Sequence, residues 1–501
     1  MFKGHPKGLY VLFFTEMWER FGFYTMLAIF VLYLQENYGW DTATVTNIYG
    51  VFLAAVYFAP IIGGWIADNL LGYGKTIAIG AVTMGVGYAL MAIPTTIELQ
   101  LYAALAVVVI GNGLFKANIS VLVGNLYAHK DGSLKDAGYN IFYMGINVGA
   151  FYAPMAASTI KNFFVNNFGT TLAEGYNAGF AIAALGMFFS IIIFLAFRKY
   201  YKDADYQSKN QENTDKDVVL TKTQEKNRII ALMTIFVIVI FFWMSFHQNG
   251  AALTLFARDY VTPTVSKFTF LLFDVLGLHG ILAILLGGAT LLNKGASTRA
   301  KGIGGIFAVI GAIIVFVKLN TLPESNAIYP EQFAYFNPMF IVLMTPLIVG
   351  YFRFLNKRGK EPSSPAKIGI GMLLTAASFI IMMLASLGLP GVYSLGEGFS
   401  SAVTVSPFWL ISTYFVVTIG ELHLSPMGLS FVSKTAPPKM KGLMMGFWFG
   451  ATAVGNYLSG FIGRFYQNWE LWQFFLLLVV ASLISALMVR IFLTKLKRAT
   501  A

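Results

Sequence analysis

Residues 10–34 read YVLFFTEMWERFGFYTMLAIFVLYL, an apolar stretch that nevertheless holds three charged side chains, Glu16, Glu19 and Arg20. A run of about 18 or more mostly apolar residues is long enough to cross a bilayer as a helix. Such runs recur along the chain, in which 57% of the 501 residues are hydrophobic and 12% are charged. Soluble domains carry about 25% charged residues. The sequence therefore predicts an all-α polytopic membrane protein. A β-barrel is excluded, because barrel strands are about 10 residues long and alternate in polarity.

About fourteen apolar spans are predicted. They cover 10–34, 47–67, 76–94, 99–127, 139–163, 179–197, 229–256, 268–292, 302–319, 333–355, 368–389, 405–432, 443–465 and 471–493. With the N-terminus assigned to the cytoplasm, 28 of the 35 Lys and Arg residues lie in cytoplasmic segments, 5 lie outside and 2 lie within spans. The five outer cations are Lys161, Arg258, Lys267, Lys318 and Arg464. Cytoplasmic segments carry the excess of Lys and Arg in membrane proteins, so both termini are predicted to be cytoplasmic. Topology then explains the net charge of +12, and no nucleic-acid partner is expected.

A polar segment divides the spans into six and eight. Residues 199–228 are charged and poor in apolar side chains, which is typical of a flexible cytoplasmic linker. We expect residues 1–198 to form one six-helix bundle and residues 229–501 to form a second, which includes an inserted helical hairpin at about 268–319. Two bundles joined by a linker are typical of transporters that rock about a central site.

Charged residues in the middle of a span cost about 2.5–3.5 kcal/mol on insertion scales, so each one is a functional candidate. The i, i+3, i+4 spacing of Glu16, Glu19 and Arg20 places them on one helix face, where Arg20 can pair with Glu16. Such a triad can also serve only to lock helices together. Lys116 and Glu421 are further intramembrane charges. A snorkelling lysine and a neutral buried glutamic acid are the alternatives to a functional role for these two.

Apart from Glu16 and Glu19, the intramembrane charges are positive in the first half of the chain and negative in the second half. Arg20 and Lys116 in the first half can bind a carboxylate, to which a guanidinium offers two parallel hydrogen bonds. Glu421 in the second half can bind an ammonium group. A small zwitterion, such as an amino acid or a short peptide, would bridge the halves. Glu16 and Glu19 are candidates for proton coupling, because two carboxylates beside one Arg leave a site able to take up a proton.

The residues around this cluster resemble the proton-dependent oligopeptide transporter (POT) family of the major facilitator superfamily. EMWERFGFY (16–24) is similar to the family's ExxERFxYY signature. Further segments resemble family motifs on later helices: GGWIADNLLGYGK (63–75), FYMGINVGAF (142–151), FFWMSFHQNG (241–250), FNPMF (336–340), GELHLSPMGLS (420–430) and GFWFG (446–450). The resemblance implies the major facilitator fold and proton-coupled import of di- and tripeptides by alternating access.

The resemblance also implies roles for individual residues. Arg20 and Lys116 would hold the carboxylate of the peptide. Asn147, Asn337 and Glu421 would hold its amine. The side chains that would line its side-chain pockets are Tyr24, Tyr57, Tyr143, Trp243, Ser425 and Trp448. Glu16 and Glu19 would form the proton-linked pair beside Arg20, and His247 and Glu421 are further candidates for proton coupling.

Four features depart from the family's pattern. Leu27 stands where members typically have a second Arg, and His247 stands where they have an acid on helix seven. Both partners of a salt bridge between the halves are therefore missing. Phe23 replaces the first Tyr of the signature, and the hairpin lies between helices seven and eight rather than six and seven. We expect His247 to take over part of the gating, because an imidazole changes charge near neutral pH. A neutral imidazole satisfied by a backbone carbonyl is the alternative.

Other classes of protein fit the sequence less well. The absence of cysteine excludes disulfides and thiolate metal sites. A membrane enzyme would need a nucleophile or metal constellation, but the five histidines are scattered and no HExxH or GxSxG run occurs. No cofactor is expected, and the coupling ion is a proton. The remaining alternative is a carrier of the same fold for a peptide-like drug, an amine-bearing metabolite or nitrate. We expect a monomer in a plasma membrane, most simply a bacterial inner membrane.

Overall fold

The computed structural model describes residues 4–127, 132–205, 221–395, 400–437 and 440–500. Most of these residues are helical, and fourteen of the helices that they form have 18 or more residues. A search confined to the described ranges finds eleven helical segments that are long and apolar enough to cross a membrane. The prediction of an all-α polytopic membrane protein is therefore confirmed. The middle of the predicted linker lies outside the described residues, as do five of the lysines counted as cytoplasmic: Lys3, Lys130, Lys209, Lys216 and Lys439.

The first six helices pack against one another. They are α1 (Lys7–Tyr38), α2 (Thr42–Ile66), α3 (Tyr73–Ala92), α4 (Glu98–Asn125), α5 (Gly132–Phe168) and α6 (Leu172–Ala196). α1 packs against α5 and α6, and α3 packs against α4. Local signals set the helix ends. Gly39 ends α1 with a φ of 65°, a conformation that costs glycine little. Asp41 begins α2 by accepting a hydrogen bond from the N–H of Thr44 at 2.9 Å.

Ten further helices follow. They are α7 (Lys222–Phe246), α8 (Ala252–Tyr260), α9 (Lys267–Phe270), α10 (Val275–Leu292), α11 (Thr298–Thr321), α12 (Phe336–Lys357), α13 (Ser364–Ala385), α14 (Phe408–Thr435), α15 (Lys441–Asn468) and α16 (Leu471–Thr500). The span predicted over 229–256 lies within one continuous helical segment, Lys222–Tyr260, in which a 3-10 turn over His247–Gly250 separates α7 from α8. Asn249 and Gly250 have low helix propensity and explain the break.

The predicted hairpin is formed by α10 and α11, but its first helix begins at Val275 rather than at residue 268. The residues before Val275 form the strand β1 and the short helix α9 instead. β1 (Thr264–Ser266) pairs antiparallel with β2 (Ser325–Ala327), which follows α11. Most of the large apolar side chains of α11 are exposed, as expected for a helix that faces lipid hydrocarbon.

The segment predicted as a linker is folded at both of its ends. Two short 3-10 turns follow α6, and between them the buried ring of Tyr201 stacks on Phe194 with ring centroids 4.7 Å apart. The Asp205 carboxylate then accepts a hydrogen bond from the N–H of Gly74 at 2.8 Å. At the other end, α7 begins at Lys222, where Thr221 and Gln224 form a capping box.

The two halves of the chain meet most closely where α2 crosses α15. A Cβ atom added to Gly50 would lie 2.6 Å from the Cα atom of Gly460, which is closer than real contacts allow. The two backbones therefore touch with no side chain between them. This close approach brings the helices on either side of the crossing together around the residues singled out in the sequence.

Candidate functional site

The charged residues of α1 form a buried cluster. The guanidinium of Arg20 contacts both carboxylate oxygens of Glu19, through Nε and, at 2.6 Å, through Nη2. Its Nε also lies 3.4 Å from Oε1 of Glu16, which is the pair expected from the spacing. All three residues are at most 2% exposed. Oε2 of Glu16 is buried and has no hydrogen-bond partner among the described residues.

Asn112 on α4 belongs to this cluster and was missed by the sequence analysis. Its Oδ1 accepts a hydrogen bond from Nη2 of Arg20 at 3.2 Å, and its Nδ2 donates to the carbonyl of Val56 on α2 at 2.9 Å. Asn112 thus fixes the position of the guanidinium between α2 and α4. A signal was present in the sequence, since Asn112 lies four residues before Lys116 and therefore on the same helix face.

A second group of contacts leads from the first half to the second. Nζ of Lys116 lies 4.2 Å from the centroid of the Tyr57 ring, which is close enough for a cation–π interaction. Tyr57 meets the imidazole of His247 edge-on, with ring centroids 6.1 Å apart. His247 stacks on Trp243, with centroids 5.5 Å apart. Nε2 of His247 and Nε1 of Trp243 are buried and lack a hydrogen-bond partner within the described ranges.

A third cluster lies in the second half. Nδ2 of Asn337 on α12 donates hydrogen bonds to Oε2 of Glu421 and to Oγ1 of Thr418, both at 2.9 Å. Thr418 lies one turn before Glu421 on α14 and was also missed. Asn147 does not join the other two amine-binding candidates by a hydrogen bond, because its Nδ2 donates to the carbonyl of Tyr143 on its own helix at 3.0 Å.

The residues expected to line pockets differ in their surroundings. Tyr143 is 49% exposed, whereas Trp448 is 3% exposed and packs against Phe236. Oγ of Ser425 is buried and has no hydrogen-bond partner among the residues that the structure describes. Several of the candidates within helices are only partly buried: Tyr24, Tyr57, Lys116, Asn147, Trp243, Asn337 and Glu421. Partial exposure of polar groups that contact one another in the middle of spans indicates a solvent-accessible cleft between the halves.

The cleft is closed at the end of the bundle where α1 ends and α2 begins. Three hydrogen bonds join the halves there: Gln35 with Arg258, Ala43 with Gln467 at 3.0 Å, and Lys161 with Glu331 at 2.5 Å. The charge distribution in the sequence predicts that this is the non-cytoplasmic end. A fourth hydrogen bond, of 2.7 Å, joins Tyr152 on α5 to His279 in the hairpin.

Comparison with known proteins shows to which family the chain belongs. A family model described as the POT family matches residues 74–224 and 309–473, which is more than half of the chain. The chain belongs to the POT family. It is 30% identical over 492 residues to the uncharacterized transporter YclF of Bacillus subtilis, covering 93% of this chain and 89% of that protein. It is also 30% identical over 475 residues to dipeptide and tripeptide permease A of Citrobacter koseri, covering 91% and 83%.

A solved structure supports the same assignment. The chain superposes on a crystal structure of peptide transporter POT in complex with sulfate with a TM-score of 0.75 and 27% identity, covering 100% of this chain and 96% of that one. The resemblance seen in the sequence and the major facilitator fold that it implied are therefore confirmed. The family and its structural neighbours are transporters rather than enzymes. This POT family member is accordingly a membrane transporter.

Proposed function

We propose that this POT family protein is a proton-coupled symporter that imports di- and tripeptides across a bacterial inner membrane by alternating access. The observation that carries the proposal is the separation of charge across the cleft. Arg20 and Lys116 lie on one side, and Glu421 lies on the other, beside Asn337. A short peptide has a carboxylate and an ammonium group to match them. The relative from Citrobacter koseri is named as a dipeptide and tripeptide permease, which agrees with this choice of substrate.

The carboxylate side suggests how a proton is coupled to the peptide. Arg20 is engaged by Glu19 and Glu16, so its guanidinium is occupied while both carboxylates are charged. Protonation of one carboxylate weakens that pairing, and the guanidinium can then hold the carboxylate of a peptide. Lys116 forms none of the ion pairs found among the described residues and supplies the second positive charge.

The amine side would be formed by Glu421 and Asn337, to which Asn147 of the first half would be added when peptide binds. The peptide side chains would contact Tyr24, Tyr57, Tyr143, Trp243, Ser425 and Trp448. His247 would take part in gating, since it touches Tyr57 of the first half from the end of α7. The proposal needs no cofactor, and a single chain supplies the whole site.

The direct test is uptake of labelled dialanine into proteoliposomes under an inward pH gradient. We expect the wild-type protein to accumulate the peptide, helped by a membrane potential worth about 2.3 kcal/mol per elementary charge per 100 mV. Glu19→Gln should lose gradient-driven accumulation but still exchange peptide without a gradient, because the amide cannot take up the proton. Glu98→Gln is the control, since Glu98 is an exposed acid at the start of α4 and should accumulate peptide normally.

Two results would contradict the proposal. Folded wild-type protein that does not accumulate dialanine would overturn the choice of substrate, and a thermal-shift screen of amine-bearing metabolites, peptide-like drugs and nitrate would follow. Gradient-driven accumulation by Glu19→Gln would show that the Glu19 carboxylate does not carry the coupled proton.

A further inference from the structure

Lys161 and Glu331 form a buried ion pair between the two halves of the chain. Nζ of Lys161, near the end of α5, lies 2.5 Å from Oε1 of Glu331, in the 3-10 turn Pro330–Tyr335 that precedes α12. The two side chains are 3% and 0% exposed. The rings of Tyr176 and Tyr329 flank the ammonium group, with centroids 5.4 Å and 4.5 Å from Nζ.

This ion pair differs from the other ion pairs of the described residues because it joins the two halves of the chain. The described residues form eight ion pairs with one another, and the other seven each join groups within one half of the chain or its adjoining linker. The other two hydrogen bonds that join the halves at this end are weaker candidates for holding it closed. Arg258 is also paired with Asp259 in its own half, and the bond between Ala43 and Gln467 involves no charged group. Lys161 and Glu331 therefore provide the direct charge attraction between the halves at the closed end.

Because the pair is buried, the strength of this attraction depends on whether the non-cytoplasmic end of the cleft is closed or open. Two opposite charges attract strongly where water is excluded, and separating them there leaves each charge without solvation. When α5 and the turn before α12 part and water enters, both groups become hydrated and the attraction becomes weak. A crevice of about 190 Å³ is lined by residues adjacent in sequence to the pair, including Asn162 of α5 and Gln332.

We propose that Lys161 and Glu331 act as a latch that holds the non-cytoplasmic end of the cleft closed and is broken each time that end opens. The proposal rests on the alternating-access part of the proposed function. It concerns the conformational cycle rather than the identity of the solute. The chain contains no cysteine, so pairs of spin labels can be introduced at chosen positions without background.

The test is a distance measurement by double electron–electron resonance between labels at Phe168→Cys and Val403→Cys, in protein without peptide or gradient. These positions are 65% and 53% exposed; Phe168 ends α5 and Val403 precedes α14, both at the closed end. We expect a short distance in the otherwise wild-type protein. Lys161→Gln should add a longer distance and shift the ratio of closed to open protein by about tenfold, which corresponds to roughly 1.4 kcal/mol.

A charge exchange separates a latch from a general packing role. Lys161→Glu combined with Glu331→Lys restores opposite charges, so we expect the short distance to return. The matched control is Lys367→Gln, which removes a similarly buried lysine paired with Glu361 at 2.5 Å within the second half. It should leave the distance distribution unchanged. Folding of each variant is checked by gel filtration.

Two outcomes would overturn the latch: an unchanged distance distribution in folded Lys161→Gln, or an equal opening in Lys367→Gln. If Lys161→Gln does not fold, Glu331→Gln and the charge exchange provide the same comparison. Because the measurement uses no solute, it gives the same answer whether or not the substrate is a peptide. A failed peptide-uptake experiment therefore does not affect it.

Discussion

The two polar clusters on either side of the cleft differ in how their charges are balanced. On α1, Arg20 is surrounded by Glu16 and Glu19, so positive and negative groups meet within one turn of the same helix. In the second half, Glu421 has the amide of Asn337 and no ion-pair partner among the described residues. The first cluster contains a cation that pairs with its carboxylates, whereas the second contains no cation among the described residues. A substrate with an ammonium group supplies that charge.

Charged residues that cost a similar free energy to place within the membrane can therefore have different effects on stability and on transport. A residue whose charge is paired within the protein stabilises the fold as well as binding substrate. A residue in an unbalanced cluster contributes to binding with little effect on the fold, since nothing inside the protein depends on its charge. The following predictions separate these two cases.

The largest effect is expected for Arg20→Met. It leaves two buried carboxylates without their cation, and removing one partner of a buried ion pair typically costs about 3–5 kcal/mol. We therefore expect both a lower melting temperature in detergent and the loss of peptide uptake. Arg464→Met is the control, because Arg464 is exposed and its Nε bonds only to the carbonyl of Phe461 at 3.0 Å among the described residues. A normal melting temperature for Arg20→Met would remove the distinction between the clusters.

A smaller effect, confined to binding, is expected for Glu421→Gln. The glutamine oxygen can still accept the hydrogen bond from Asn337, so the melting temperature should change little. Uptake of dialanine should fall at least about tenfold, because a hydrogen bond to a charged group is worth about 1.5–3 kcal/mol. The informative measurement is competition by dialanine against competition by N-acetyl-dialanine. The wild-type preference for the free amine should disappear in Glu421→Gln, and its persistence would place the amine elsewhere.

The smallest effect is expected for His247→Ala, which alters the contacts between the clusters and removes no charge pair. Uptake at the optimum pH should remain close to normal, whereas the pH profile should change, because His247 contacts Tyr57 across the two halves and is proposed to take part in gating. His423→Ala is the control, since Nδ1 of His423 is bound to the carbonyl of Ile419 at 2.8 Å and its ring packs on Phe352. An unchanged pH profile for His247→Ala would refute a gating role.

Local spacing made part of this site predictable. The pairing of Arg20 with Glu16 follows from positions four apart on one helix, and the structure shows it. Membrane spans could also be predicted from composition, because length and hydropathy are local properties, and eleven helical segments of the described residues meet both criteria. The break at His247–Gly250 was also signalled by Asn249 and Gly250, but a long apolar run masked that signal.

Contacts between distant parts of the chain could not be predicted in this way. Asn112 reaches Arg20 only because α4 packs beside α1 and α2. Lys161 was read as one of the outer cations, whereas it is buried in α5 and paired with a residue 170 positions later. Neither contact has a periodic pattern in the sequence. Each depends on how the helices are arranged in the bundle.

The short sheet between β1 and β2 has a consequence for how the chain is organised. Val265 and Asn326 lie opposite each other in the register, so the hairpin leaves and rejoins the bundle at nearly the same point. An insertion with adjacent ends widens the protein in the plane of the bilayer but does not alter the spacing of the helices that flank it. The hairpin is therefore inserted at one junction, between Thr264 and Ala327, and a further contact with the bundle is the bond between His279 and Tyr152. A domain of another kind could be grafted at the same junction.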